Sequence, residues 1–349
     1  MKLTFQRVEL KLLNPWKLAR TEKTSVADVV IVEIVGDDGR IGRGEAAPVR
    51  RYQESVETVE AFLRRVDPNK LNATNPEQSR AYLDHLAPGN HAAKCAVDVA
   101  LWDLQGQRQQ ARVCDLLKLG FRENTHVTSF TIGIDTREVI ISKVIEAQQF
   151  PILKMKVGTP ADEDNLSALR EVAPEKWIRL DANEGWATKE EAIRNIERLA
   201  RDPKIQFVEQ PMPANVPASD WIWLKERSPL PIFADESYHT AADAERAAEC
   251  FHGLNVKLVK AGGISGAFDA LQTARKLGLK TMIGCMIETS VLISAAAQLA
   301  ELANYLDLDG NLLIGNDPFR GVSARGGILS FADAPTQNGL CVSPVATLS

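Results

Sequence analysis

No apolar run in this chain is long enough, or free enough of charge, to span a bilayer. No stretch is strongly basic and the formal net charge is −5, so neither a membrane nor a nucleic-acid surface is indicated. Cysteine is scarce. Cys95, Cys114, Cys250, Cys285 and Cys341 are odd in number and lack paired zinc spacing, so they read as reduced thiols in a cytoplasmic setting. The first residues, Met1 to Leu10, lack the continuous apolar core of a signal peptide. They alternate polar and apolar residues and read as a first strand. A Gly- or Ser-rich linker, low-complexity tracts and short repeats are also missing, so the parts of the chain should pack tightly. What remains is an ordinary globular composition, 45% hydrophobic and 25% charged over 349 residues, enough for one large domain or two ordinary ones.

The pattern changes near residue 124. Before it, two β-rich segments (2–13 and 27–36) end in the turn Asp37-Asp38-Gly39-Arg40. Helical periodicity follows near 54–65, 76–85 and 91–110, so residues 1–123 read as an α+β domain. Over 124–325 strand and helix alternate. Strands end near Gly133, Gly158, Asn183, Pro211, Ser237, Ala261, Met286 and Gly310, with seven helical stretches between them. This predicts an α/β fold of the (β/α)₈ TIM-barrel type, although a doubly wound open sheet gives the same alternation. The turn-rich residues 326–349 are expected to return to the first domain.

Charged residues recur at consecutive strand ends. Lys154-Met155-Lys156, Asp181-Ala182-Asn183, Glu209-Gln210-Pro211, Asp235-Glu236-Ser237 and Lys257 follow at near-equal intervals, which puts them at one mouth of a parallel barrel. Successive strand residues face opposite ways. Leu153, Met155 and Val157 can face the helices, so Lys154 and Lys156 point inward. Val256 and Leu258 do the same for Lys257, whereas Lys260 falls on the outer parity. Leu180 turns Asp181 inward, with Asn183 beside it. Three inward carboxylates, Asp181, Glu209 and Asp235, repel one another unless a cation sits between them, and hard oxygen ligands suit Mg²⁺. Taken singly, Asp181 or Asp235 reads more readily as the cap of a following helix and Glu209 as a solvated strand end.

A buried lysine needs a partner or a lowered pKa. Lys154 and Lys156, adjacent and inward, are expected to depress each other's pKa, which makes one of them a candidate general base. Lys257 approaches from the other side. Two facing bases can take a proton from one face of a carbon and return it to the other.

These motifs resemble the enolase superfamily, and within it the muconate-lactonizing subgroup. The resemblance extends to Lys257-Leu258-Val259-Lys260-Ala261-Gly262-Gly263, to Gly44-Glu45-Ala46-Ala47-Pro48 and to Ala100-Leu101-Trp102-Asp103-Leu104. It covers nearly the whole chain. It implies a modified (β/α)₇β barrel under an α+β capping domain, one Mg²⁺ on Asp181, Glu209 and Asp235, catalytic lysines at 154, 156 and 257, and an enolate intermediate. Enolase-superfamily sites are a worked case of this pattern in general accounts of pKa tuning.

Asp307 and Asp309 in Tyr305-Leu306-Asp307-Leu308-Asp309 share a face, so both can meet one cation. They resemble the Asp-x-Asp motif of dipeptide epimerases, which holds a substrate α-ammonium group. The alternative is a turn at Asp309-Gly310 with Asp307 as a cap. The implied activity is dipeptide epimerisation. o-Succinylbenzoate synthesis, N-succinylamino acid racemisation and muconate cycloisomerisation are the alternatives in the same subgroup. Thr131, Asn183 and Glu288 are further substrate-binding candidates, with Glu288 equally readable as a helix cap. Arg20 could pair with an acidic substrate side chain and Glu22 with a basic one. They lie on one of two loops expected to set specificity; the other is Val49-Arg50-Arg51-Tyr52. Gly262-Gly263 and Ser265 could cradle an anion. His239 and His252 show no metal spacing. The expected partner is a small molecule, with a homo-oligomer open. Outside this class stand a Schiff-base aldolase using Lys156 or Lys257 and a non-catalytic binding barrel.

Overall fold

The computed structural model describes residues 1–16 and 24–345. The chain opens with three antiparallel strands in sequence order, β1 (Lys2–Trp16), β2 (Thr24–Val35) and β3 (Ile41–Ala46). Three helices follow, α1 (Val56–Leu63), α2 (Pro76–Leu86) and α3 (His91–Gln109). Each of the first two starts where its sequence supplies a cap. Ser55 and Thr58 form a reciprocal capping box, and the Asn75 side chain accepts from Gln78 N ahead of Pro76.

Strand β2 is rich in Val and Ile, and its alternation serves two cores. Val29 and Ile31 join the apolar cluster that continues into the barrel, while Val30, Val32 and Ile34 pack with α1 and α3. Helix α3 lies against β3 so closely that Gly44 cannot carry a side chain. A Cβ there would stand 1.9 Å from the Ala96 carbonyl oxygen. Gly44→Ala is therefore expected to lower stability by about 3 kcal/mol, read as a fall in the thermal midpoint, because backbone and not a pliable side chain must move.

After the short α4 (Val113–Leu116), eight parallel strands build one sheet: β4 (Phe130–Ile132), β5 (Ile152–Lys156), β6 (Trp177–Asp181), β7 (Ile205–Glu209), β8 (Ile232–Ala234), β9 (Gly253–Lys257), β10 (Lys280–Gly284) and β11 (Tyr305–Asp307). The helices between them are α5 (Arg137–Glu146), α6 (Asp162–Val172), α7 (Lys189–Leu199), α8 (Ala218–Arg227), α9 (Ala244–Cys250), α10 (Leu258–Ala261), α11 (Ile264–Lys276) and α12 (Ser290–Ala297). The sheet does not stay open. A parallel bridge between Thr128 and Leu306 joins its two edges, and Ser129 N donates to Leu306 O at 3.1 Å. The doubly wound alternative is thereby excluded, and the fold is a (β/α)₇β barrel with an N-terminal antiparallel sheet domain.

One strand departs from expectation. β9 ends at Lys257 and not near Ala261, because residues 258–261 form the helical turn α10. Strand parity does not apply beyond Lys257, so Lys260 is not on the outer face. The C-terminal segment lies against α3 and α4. Leu340 N donates to Asp103 Oδ1 at 2.9 Å and Val113 N to Gly339 O at 3.1 Å. Among the described residues no helix is long and apolar enough to cross a membrane.

Candidate active site at the barrel mouth

Strand register sets the site in two layers. Lys154 pairs with Arg179 and Lys156 with Asp181, Asp181 pairs with Glu209, and Gly284 lies between Lys257 and Asp307. Two residues below most of these ends is an inner layer of Arg179, Phe207, Phe233, Met282 and Tyr305. Phe207 stacks on Phe233, and the Arg179 guanidinium lies 5.1 Å from the Tyr305 ring centre. This largely aromatic floor packs below the charged layer.

Asp181, Glu209 and Asp235 are buried, and each offers an oxygen within 4.8 Å of the others. The lysines are woven into the same layer. Lys154 Nζ lies 2.7 Å from Asp307 Oδ2, 2.9 Å from Asp181 Oδ2 and 2.7 Å from Glu209 Oε2. Lys156 Nζ donates to Asp181 Oδ2 at 2.7 Å. Lys257 Nζ lies 2.9 Å from Asp235 Oδ2 and 3.8 Å from the Met286 sulfur. Lys260 reaches back from α10 and donates to Asp235 Oδ1 at 2.5 Å, to Asp235 O and to Tyr238 O.

Burial resists ionisation of Asp181, yet the Lys154 and Lys156 ammoniums hold it well below the usual carboxylate range. Asp235 is likewise held low against burial, by Lys257 and Lys260. Glu209 goes the other way. Burial and then the Asp181 charge push it up to about 8. The Lys154 ammonium at 2.7 Å makes an ion pair without hydrogen-bond geometry, so among the described residues Glu209 Oε2 has no hydrogen-bond partner, while Oε1 accepts from Asn255 Nδ2 at 2.7 Å. A buried acid oxygen without a donor, beside two ionised acids, fits a cation-binding set.

The expectation that Lys154 and Lys156 lower each other's pKa is corrected at Lys154. Burial alone would favour its neutral form. Asp181, Asp307 and Glu209 surround it and raise its pKa well above the ordinary lysine value. Lys257 is raised against burial by Asp235.

A cleft of about 290 Å³ opens above this layer. Its floor includes Lys154, Lys156, Asp235, Lys257, Asp307 and Asp309, and Thr131 and Asn183 line it too. The capping sheet and the loop after it supply Ala27, Asp28, Ala47, Pro48, Val49 and Tyr52. The two acids of the eighth strand are not equivalent. Asp307 is engaged on both oxygens, by Ser129 Oγ at 2.7 Å and by Lys154. Asp309 Oδ2 accepts from Thr131 N at 2.7 Å, and its Oδ1 faces the Cys285 thiol at 3.8 Å. Burial, then the Asp307 charge, push Asp309 up to about 6.

Several candidates lie elsewhere. Glu288 does not line the cleft. It is buried behind it, accepting from Met286 N at 2.9 Å, and burial pushes it up to about 7. Arg20 and Glu22 lie outside the described residues. The glycine pair holds no anion cradle, because Asp98 occupies it. Asp98 accepts from Ser265 N at 3.0 Å and Oγ at 2.5 Å, and a Cβ on Gly263 would strike it. His239 packs its ring edge to face with Tyr52, and His252 Nδ1 accepts from Ile232 N.

Sequence reasoning missed Asn255 and Lys260. Asn255 shares the inward parity of Lys257 two residues on, so alternation could have found it. It also missed Glu45, which crosses between domains. Its carboxyl accepts from Thr289 N at 2.9 Å and Thr289 Oγ1 at 2.5 Å, at the start of α12.

Comparison with known proteins adds to this geometry. Residues 2–118 match the mandelate racemase / muconate lactonizing enzyme N-terminal domain family, and residues 139–322 match the enolase C-terminal domain-like family. The chain belongs to the enolase superfamily. Among relatives in that superfamily, it is 57% identical to the L-Ala-D/L-amino acid epimerase of Pedosphaera parvula, over 98% of this chain and 99% of the relative. It is 39% identical to the L-Ala-D/L-Glu epimerase of Bacteroides thetaiotaomicron, over 96% and 86%. Among solved superfamily structures, it superposes on the substrate-liganded L-Ala-D/L-Glu epimerase of Bacillus subtilis with a TM-score of 0.91, at 30% identity and 99% coverage of both chains. The dipeptide epimerase of Enterococcus faecalis complexed with Mg and L-Leu-L-Tyr gives 0.88, at 32% identity and 98% coverage of both.

Proposed function

We propose that this enzyme is a Mg²⁺-dependent dipeptide epimerase that inverts the α-carbon next to the free carboxylate. The observation that carries this is the order of groups around the eight-stranded ring. Lys156 on β5 and Lys257 on β9 stand across the mouth from each other. Asp181, Glu209 and Asp235 fill the arc between them on one side. Asp307 and Asp309, on and just after β11, lie on the other.

A dipeptide fits this order. Its carboxylate goes toward the three acids and its α-ammonium toward Asp309, whose Oδ1 is the oxygen best placed to accept from it. The α-carbon then lies between the lysines, and the side chain points to the capping wall. Asp181, Glu209 and Asp235 would hold Mg²⁺, which supplies positive charge to the substrate carboxylate as negative charge builds on it. One lysine takes the α-proton, leaving an enolate, and the opposite lysine returns a proton to the other face. Lys154 offsets developing charge from below. Asn255 and Lys260 hold Glu209 and Asp235 in place, and Asn183 and Thr131 border the substrate. Names of relatives at 57% and 39% identity support the same class. The division into a capping part (1–123 with 326–349) and a catalytic barrel (124–325) belongs to this reading.

The test is a dipeptide library in D₂O with Mg²⁺, scored by mass for α-deuterium uptake. N-acetylation of a good substrate is expected to lower kcat/KM about a hundredfold, because it removes the charge that Asp309 meets. Preference for N-succinyl amino acids or muconate over every dipeptide would overturn the epimerase reading.

A further inference from the structure

The capping domain closes one wall of the cleft with Pro48, Val49 and Tyr52. Arg51, between them, turns away from the cleft toward the barrel. Its Nε donates to Glu184 Oε2 at 2.8 Å and its Nη2 to Glu184 Oε1 at 2.7 Å. Glu184 is a firm anchor. It follows Asn183 just beyond β6, its side chain is 7% exposed against 39% for Arg51, and Oε1 also accepts from Ala214 N at 2.8 Å. Its backbone is left-handed, at φ 66°, with its N–H on Gln210 O at 2.9 Å. A non-glycine residue in that conformation persists where surrounding bonds hold it. Tyr52 meets the barrel at His239, the two rings nearly perpendicular with centres 5.2 Å apart.

We propose that Arg51 and Glu184 form an interdomain latch that holds the Val49–Tyr52 wall over the substrate side chain, and so set substrate affinity and not the proton-transfer step. This rests on the epimerase reading for its substrate. Arg51 is a positioning residue, acting through Val49 and Tyr52. The planar guanidinium fork matches the carboxylate with two parallel bonds, which fixes the loop's direction as well as its distance. Without it the loop must be ordered when substrate binds, and that ordering weakens binding while leaving the lysines in place.

The experiment measures KM and kcat for wild type, Arg51→Ala, Arg51→Lys, Glu184→Gln and the Arg51→Ala/Glu184→Gln double variant, on the best dipeptide found. Amide hydrogen exchange of residues 48–53 is followed without substrate. Arg51→Ala and Glu184→Gln should each raise KM about tenfold with kcat within about twofold of wild type, and Arg51→Lys should fall between. Glu184→Gln keeps an oxygen for Ala214 N, so it carries the test should Arg51→Ala not fold. The double variant should be no worse than the worse single one, because both remove one contact. Residues 48–53 should exchange faster in both single variants. Unchanged KM, additive effects, a fall confined to kcat or unchanged exchange would each overturn the latch. If wild type acts on no dipeptide, the epimerase reading fails instead, and the exchange measurement still decides whether the latch orders the loop.

Discussion

Lys156→Ala and Lys257→Ala are each expected to lower epimerisation by about 10⁴-fold, because inversion needs a proton group on both faces of the α-carbon. The two variants should differ in what they retain. Each should still exchange the α-proton of the one epimer that its remaining lysine faces, and the retained epimers should be opposite. The ring geometry underlies this, since β5 and β9 lie across an eight-stranded sheet from each other. Neither lysine is free to replace the other. Lys156 is held on Asp181 at 2.7 Å and Lys257 near Asp235 at 2.9 Å. The measurement is NMR of the α-proton for each variant with each epimer in D₂O. Loss of exchange for the same epimer in both variants would rule out opposed bases.

The second large effect concerns the acid triad. EDTA should abolish turnover and Mg²⁺ restore it, and Asp235→Asn should lose turnover by about 10³-fold or more at ordinary Mg²⁺ concentrations. The substitution does two kinds of damage. It removes one of three charges that face the cation, and it weakens the grip on Lys257 and Lys260, both of which meet Asp235. A readout separate from turnover distinguishes these. Mg²⁺ at about a hundred times its Kd should stabilise the wild-type fold by about 2.7 kcal/mol, visible as a higher thermal midpoint, and should shift Asp235→Asn far less. Full activity of the wild type in EDTA would show that the triad serves no metal in the reaction.

The neighbourhood of Asp235 also marks where alternation stops being a guide. For Lys154, Lys156, Asp181 and Lys257 the strand period alone gives the inward direction, and the structure has all four buried around one mouth. The same rule misplaced Lys260, because it assumes that the strand continues. In the fold the chain turns into α10 after Lys257, and a side chain three residues on swings back onto Asp235. The eighth-strand acids show a similar limit. Their i, i+2 spacing puts them on one face, but it cannot say that Ser129 and Lys154 engage Asp307 while Asp309, which lines the cleft, accepts from Thr131 N and faces the Cys285 thiol.

By itself the sequence determined the βα alternation, the two-part organisation and the charged strand ends, because a period of two and regular spacing are local properties of a chain. It also singled out the lysine and acid sets as candidates, since residue type, spacing and parity select them without any distance. Only the tertiary structure decided what depends on closure and on contacts between distant segments. The Thr128–Leu306 bridge turns an alternation that suits two folds into a ring, and so sets Lys156 opposite Lys257. Glu45 on α12, Arg51 on Glu184 and Asp98 in place of an anion each join segments far apart in sequence. No local pattern encodes such pairs, because a carboxylate meets whichever donor the packing of two domains brings within hydrogen-bond reach.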